Sequence, residues 1–259
     1  MFFVVSKEKI ISYVVALSTI VILLGIANMS VVNQTNSTIP TVAKAEKNLP
    51  VYSVATEQKK VALTINCAWN ADDIDSILET LKNNQCKATF FMVGSWIDQY
   101  PEAVRKIDQA GHEVANHSDT HSHVNNLNVE KNKQEIKLAA DKIEKITGKR
   151  STLYRGPYGE YNDTVIKAAK EESHLMIQWS IDSLDYKDLT TEEMIKRIEP
   201  KLENGSIILM HNGTKNTANS LDKIIKQIKS KGYELTTVSD LVYRDSYYID
   251  GNGQQHKQN

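Results

Sequence analysis

His112-Glu113-Val114-Ala115-Asn116-His117-Ser118-Asp119-Thr120-His121 is a short strand-like run that stops in a polar segment bearing histidines. A parallel strand that ends on such side chains delivers them to the rim where ligands bind in open and closed α/β sheets alike. The same form recurs along the chain. Short apolar runs at 61–67, 88–93, 112–116, 152–155, 175–181, 206–211 and 233–236 predict seven strands. Helical patterns lie between them. Ile74, Ile77, Leu78 and Leu81 share one face, with Asn70 placed to cap it. Pro101 opens the next helix and Gly111 stops it. Ile136, Ala140, Ile143 and Ile146 line a longer one that ends before Gly148. A Thr190–Glu193 capping box opens another, which Pro200 should shorten, and Leu221, Ile224, Ile225 and Ile228 precede Gly232. Alternation of this kind predicts a single α/β domain around a parallel sheet, open or closed into a barrel.

The flanks are different. Lys7 and Lys9 precede an uncharged stretch at 10–27, close to the roughly 20 residues that span a bilayer as a helix. A positive flank ahead of it makes residues 1–9 a cytoplasmic stub and exports the remainder. Ala43-Lys44-Ala45 has a small-x-small form but lies far beyond the apolar run, which favours an uncleaved membrane anchor over a removed signal segment. Residues 28–57 read as a tether, 58–243 as the domain and 244–259 as a polar tail, disordered beyond Asp250. The 259 residues, 41% of them hydrophobic, suffice for a barrel-sized core. A net charge of -1, with lysines scattered among acids, excludes a nucleic-acid partner, and a monomer is expected. Cys67 closes one predicted strand and Cys86 opens the next, about 20 Å apart across a parallel sheet. A disulfide needs Cα atoms within about 7 Å, so Cys67 is expected as a free thiol.

Five strand ends carry polar groups. His117 and His121 are spaced so that two imidazoles can reach one ion, with Asn116 and Asp119 placed to orient them. His123 beside them reads as a bystander. Arg155-Gly156-Pro157-Tyr158-Gly159 holds a guanidinium at the rim on a loop stiffened by proline. Trp179 to Tyr186 ends a strand with Asp182 and Asp185 beside aromatics suited to stacking on sugar rings, and 207–211 is a buried run that delivers His211 at its tip. Taken singly each has a bland reading as turn, cap or surface residue. Together they mark a site.

The motifs His-Ser-x-x-His, Arg-x-Pro-Tyr-Gly, Asp-Ser-x-Asp with a following aromatic, and Leu-x-His occur here in the order found in the polysaccharide deacetylase family, the NodB-homology or carbohydrate esterase family 4 group, which residues 58–243 resemble. The resemblance implies a distorted (β/α)7 barrel that removes N-acetyl groups from peptidoglycan or chitin units, or O-acetyl groups from xylan, with a divalent metal, zinc above all. It implies His117 and His121 as metal ligands and His211 as the acid that protonates the leaving amine. Arg155 would brace the active-site carboxylates and Asp185 would tune a histidine, while Tyr158, Pro157, Trp179, Tyr186 and Leu209 would line the substrate groove. The partner implied is a cell-wall or other amino-sugar polysaccharide.

One motif departs. Where the family has Thr-Phe-Asp-Asp-Gly, supplying the general base and the third metal ligand, this chain reads Thr64-Ile65-Asn66-Cys67-Ala68. Ala68-Trp69 resembles a sporulation-associated branch in which the second Asp is already replaced. An amide has no basic lone pair, so Asn66 at the base position removes an effect worth about a hundred- to ten-thousandfold. Cys67 is the candidate third ligand beside the two histidines, a set that suits zinc. Asp72 and Asp73 read as first-turn helix acids rather than replacement bases. The expectations are a deacetylase of weak or lost activity, a silent glycan-binding protein, or a structural protein of the envelope or spore.

Overall fold

A computed structural model describes residues 6–34 and 48–258, with side chains in the first stretch described up to residue 24. That stretch is the helix α1 (Lys7–Gln34). Among the described residues no helix is long and apolar enough to cross a membrane. The expected span at 10–27 runs past residue 24, and its last side chains, like Ala43-Lys44-Ala45, lie outside the described residues.

The second stretch follows the order β1 (Ser53–Val54), β2 (Lys60–Cys67), α2 (Ile74–Asn83), β3 (Thr89–Met92), α3 (Gly94–Gln99), α4 (Pro101–Gln109), β4 (Glu113–Asn116), α5 (Val129–Thr147), β5 (Leu153–Tyr154), α6 (Asp163–Glu171) and β6 (Leu175–Met176). It continues with β7 (Ile181–Asp182), α7 (Thr191–Ile198), β8 (Ile207–His211), α8 (Thr217–Ser230), β9 (Glu234–Thr236), α9 (Val238–Leu241), β10 (Tyr247–Ile249) and β11 (Gln254–Lys257). The wall is a curled parallel sheet of seven strands in the order β6-β5-β4-β3-β2-β8-β7, with β9 also paired to β2. This is the α/β half-barrel expected of the distorted (β/α)7 class.

Strand β2 shows how the sequence builds the layers. Val61, Leu63, Ile65 and Cys67 pack with Ile74, Ile77 and Leu81 of α2 and Leu221 and Ile225 of α8. Thr64 and Asn66 alternate with them and turn to the other face, where both meet Arg155. The helix ends follow the local chemistry. Thr190 and Glu193 form the predicted capping box, and Gly148 caps α5 in the left-handed region at φ 71°. Helix α7 stops at Ile198 before the turn that holds Pro200. Asn70 does not cap α2. Its Oδ1 accepts from the Asp72 N–H, and the helix starts after Asp73. Cys67 and Cys86 are buried free thiols.

Three expectations are corrected. The run at 175–181 is not one strand: it breaks between β6 and β7, which lie at opposite edges of the sheet. Residues assigned to the tether fill the resulting seam. Val51 bridges to Ile177 and Ser53 to Ser206, and Val51 and Val54 are fully buried. The tail is ordered as well, because β11 pairs antiparallel with β10 and parallel with β1, leaving few strand groups unmatched. Composition suggested disorder here, but an edge in need of a partner decided the outcome. Gln255 is fully buried and spans Tyr243, accepting from its N–H at 2.9 Å and donating to its C=O at 2.8 Å. Replacing Gln255 by Ala should destabilise the domain by about 2 kcal/mol or more in urea unfolding. A loss under about 0.5 kcal/mol would remove the tail from the cooperative core.

Candidate functional site

The site is built around Arg155, the residue after β5. It is fully buried. Its Nη1 donates to Thr64 Oγ1 and Asn66 Oδ1, each at 2.9 Å, and its Nη2 to the Gln178 carbonyl at 3.0 Å. The guanidinium lies 4.0 Å from the centre of the Phe91 ring and 5.5 Å from that of Trp179. Burial pushes its pKa down to about 9, so it stays cationic at neutral pH. No carboxylate meets it among the described residues; neutral dipoles and π faces carry the compensation.

That contact fixes Asn66. With Oδ1 accepting from Arg155, its Nδ2 faces His117 Nε2 at 3.2 Å. His117 Nδ1 lies 2.8 Å from the Arg155 carbonyl, an acceptor only, so Nδ1 carries the proton and Nε2 accepts from Asn66. Burial foremost, then the neighbouring His121, holds the His117 pKa well below its ordinary value. The imidazole is neutral, and its free lone pair is already used.

His121 reaches His117 through a loop rather than a helical turn. Ser118 and His121 adopt positive φ, 71° and 59°, bringing the two rings to 5.1 Å between centroids. Asn116 supports this loop by accepting from the Ser118 N–H, and Asp119 pairs with Lys142; neither touches an imidazole ring, contrary to expectation. The loop's anchor is Glu135 on α5, which sequence reading missed. Its carboxylate accepts from Ser118 Oγ, Asp119 N, Thr120 N and Thr120 Oγ1. An acid within an amphipathic helix gives no signal of this in sequence. His123 is not a bystander either: it stacks on Tyr158 at 4.2 Å and hydrogen-bonds Glu160.

Cys67 does not join the histidines. It is fully buried among the apolar residues beneath α2, and burial, with Asp73 second, pushes its thiol pKa well up. Among the described residues no group of three or more His, Cys, Asp or Glu is placed to hold a metal ion. With one imidazole capped by an amide, a buried cationic guanidinium adjacent and Cys67 on the other face, these residues do not form a three-ligand cation site. Cys67 is therefore removed from the expected set with His117 and His121, because adjacent strand residues point to opposite faces.

On the other side of Asn66, in register on β8, stands His211. Its Nδ1 donates to Asp185 Oδ1 at 2.9 Å, while Asp185 Oδ2 accepts from the His211 N–H and from Thr217 Oγ1, both at 2.6 Å. Asp182 instead caps its own loop through the Leu184 N–H. Tyr158 and Tyr186 are exposed at the rim, and Leu209 and Pro157 are buried beside it. Trp179 is half-buried, against Arg155 and Gly159. A Cβ on Gly156 would meet the Glu160 carbonyl at 2.3 Å, so glycine is required where this loop doubles back.

The polysaccharide deacetylase pattern matches residues 53–176. A peptidoglycan-N-acetylglucosamine deacetylase of Bacillus cereus is 30% identical over 196 residues, covering 74% of this chain and 92% of that protein. The protein YlxY of Bacillus subtilis, described as uncharacterized, is 33% identical over 193 residues; the match takes in 74% of this chain but only 60% of that one. Among solved structures, BA3943 of Bacillus anthracis, described as a CE4 family pseudoenzyme, superposes with a TM-score of 0.72 at 30% identity, covering 81% of this chain and 73% of that one. A mutant of it is described as having restored enzymatic activity. The chain belongs to the polysaccharide deacetylase family.

Burial raises the Glu135 pKa, but the hydrogen bonds from Ser118, Thr120 and Asp119 together bring it below the ordinary value. A lowered folded pKa gives stability that is present above the unfolded value of about 4.3 and lost as pH falls through the folded one. Glu135→Gln should therefore cost about 1–3 kcal/mol near neutral pH, with the difference from wild type shrinking in acid. A pH-independent difference in urea unfolding would count against the carboxylate as the anchor.

Proposed function

We propose that the chain engages an amino-sugar polymer of the cell envelope, peptidoglycan or a close relative, along the rim, and hydrolyses its N-acetyl groups weakly or not at all. The observation that carries this reading is the chain from Arg155 through Asn66 to His117. Where a water must lose a proton, the side chain present is an amide with its NH2 turned toward an imidazole, and it can accept no proton. His211 remains oriented by Asp185 so that its Nε2 could protonate a leaving amine. Such a residue speeds bond cleavage only once a nucleophile has attacked, so it does not make up for the missing base. Tyr158 and Tyr186 keep exposed faces suited to sugar rings.

The substrate class is supported by the name of the Bacillus cereus relative, and the weak-activity reading by the pseudoenzyme description of BA3943. Export across the membrane through residues 10–27, as an anchored or released protein of the outer cell surface or spore envelope, completes the proposal.

Retention on insoluble peptidoglycan is the first expected outcome; its absence would favour a partner-binding role. Turnover of acetylated glucosamine oligomers should stay near background with or without added zinc. A rate within about tenfold of an active family member assayed alongside would overturn the reading. Asn66→Asp gives Arg155 an anion and restores a base, and should raise both the melting temperature and the rate, the latter by up to about a hundredfold. If the rate stays flat while the melting temperature rises, the missing base is not the sole defect.

A further inference from the structure

We propose that Trp69 is a sugar-stacking residue, and that Trp69, Tyr186 and His211 form a subsite for one pyranose ring of an amino-sugar polymer. This rests on the glycan-binding reading above and names a contact for it. Trp69 and Tyr186 are 48% and 43% exposed, two large rings left open side by side at the rim. Both meet the same imidazole. The His211 ring lies 5.4 Å from Trp69, tilted by 37°, and 5.2 Å from Tyr186, nearly edge-on at 81°. Only Nδ1 of that imidazole is hydrogen-bonded among the described residues, which leaves Nε2 as a polar group on a ring that both aromatics meet.

A pyranose ring has the complementary make-up. Its axial C–H groups form an apolar face that lies against an aromatic ring, and its hydroxyl and acetamido groups hydrogen-bond at the edge. The Trp69 loop is held ready for such a contact. The carbonyl of Asn70, the next residue, accepts from Trp96 Nε1 at 3.1 Å and from Asn212 Nδ2 at 2.5 Å, and its side chain closes a turn on the Asp72 N–H. The indole is thus carried on a segment fixed at three points, so little loop ordering opposes binding.

Co-sedimentation of the full chain with insoluble peptidoglycan gives the affinity. Trp69→Ala should weaken it about tenfold or more, while Trp69→Phe should stay within about threefold of wild type. Tyr248→Ala, which removes an exposed aromatic on β10, should leave it unchanged. Wild-type affinity in Trp69→Ala overturns the subsite while leaving the glycan-binding reading intact. Absence of sedimentation by the wild-type chain overturns both.

Discussion

A guanidinium taken out of water has to be compensated, and the interior of this half-barrel is arranged around that demand. Arg155 finds a hydroxyl, an amide oxygen, main-chain carbonyls and two aromatic faces, contributed by two strands, β2 and β3, and the segment after β6. Because an amide has one acceptor end and one donor end, satisfying Arg155 with the oxygen leaves the nitrogen facing His117. A carboxylate in the same place would have presented an acceptor on both sides and cancelled the charge. One change of side chain, from acid to amide, thus alters the base, the electrostatics and the availability of an imidazole together.

The other half of the rim is built independently of that network. His211 is held by buried Asp185, which Thr217 also meets, and the exposed rings of Trp69 and Tyr186 border the imidazole. Glu135 holds the His117–His121 loop from α5 with four hydrogen bonds. On the reading proposed above, the surroundings of a hydrolytic centre persist around a position that carries an amide. That separation between binding and chemistry is what makes a glycan-binding role physically coherent.

Much of this was legible in the residues themselves. Strand-helix alternation placed the wall, and local capping chemistry at Thr190, Gly148 and Pro200 placed helix ends, because these signals depend on near neighbours. Of the polar strand ends, Asn66, Arg155 and His117 meet directly, and His211 stands in register with Asn66. What escaped depends on distant partners. Glu135 is one acid among many on a helix, and the seam formed by Val51 and Val54 needs a break in the 175–181 run that its apolar composition does not announce. The placing of Cys67 beside the histidines neglected a rule available from the start, since residues 66 and 67 of one strand face opposite ways.

The seam has a bearing on how the chain is made. Strand β1 pairs in parallel with β11, Ser53 opposite Gln254 and Val54 opposite Gln255, so a segment ahead of β2 depends on one that follows every other strand of the domain. Until β11 is made, β1 lacks that strand partner, and a pairing across so long a stretch of chain forms late and slowly. A chain cut before Gln254 would keep every rim residue and leave β1 without its strand partner.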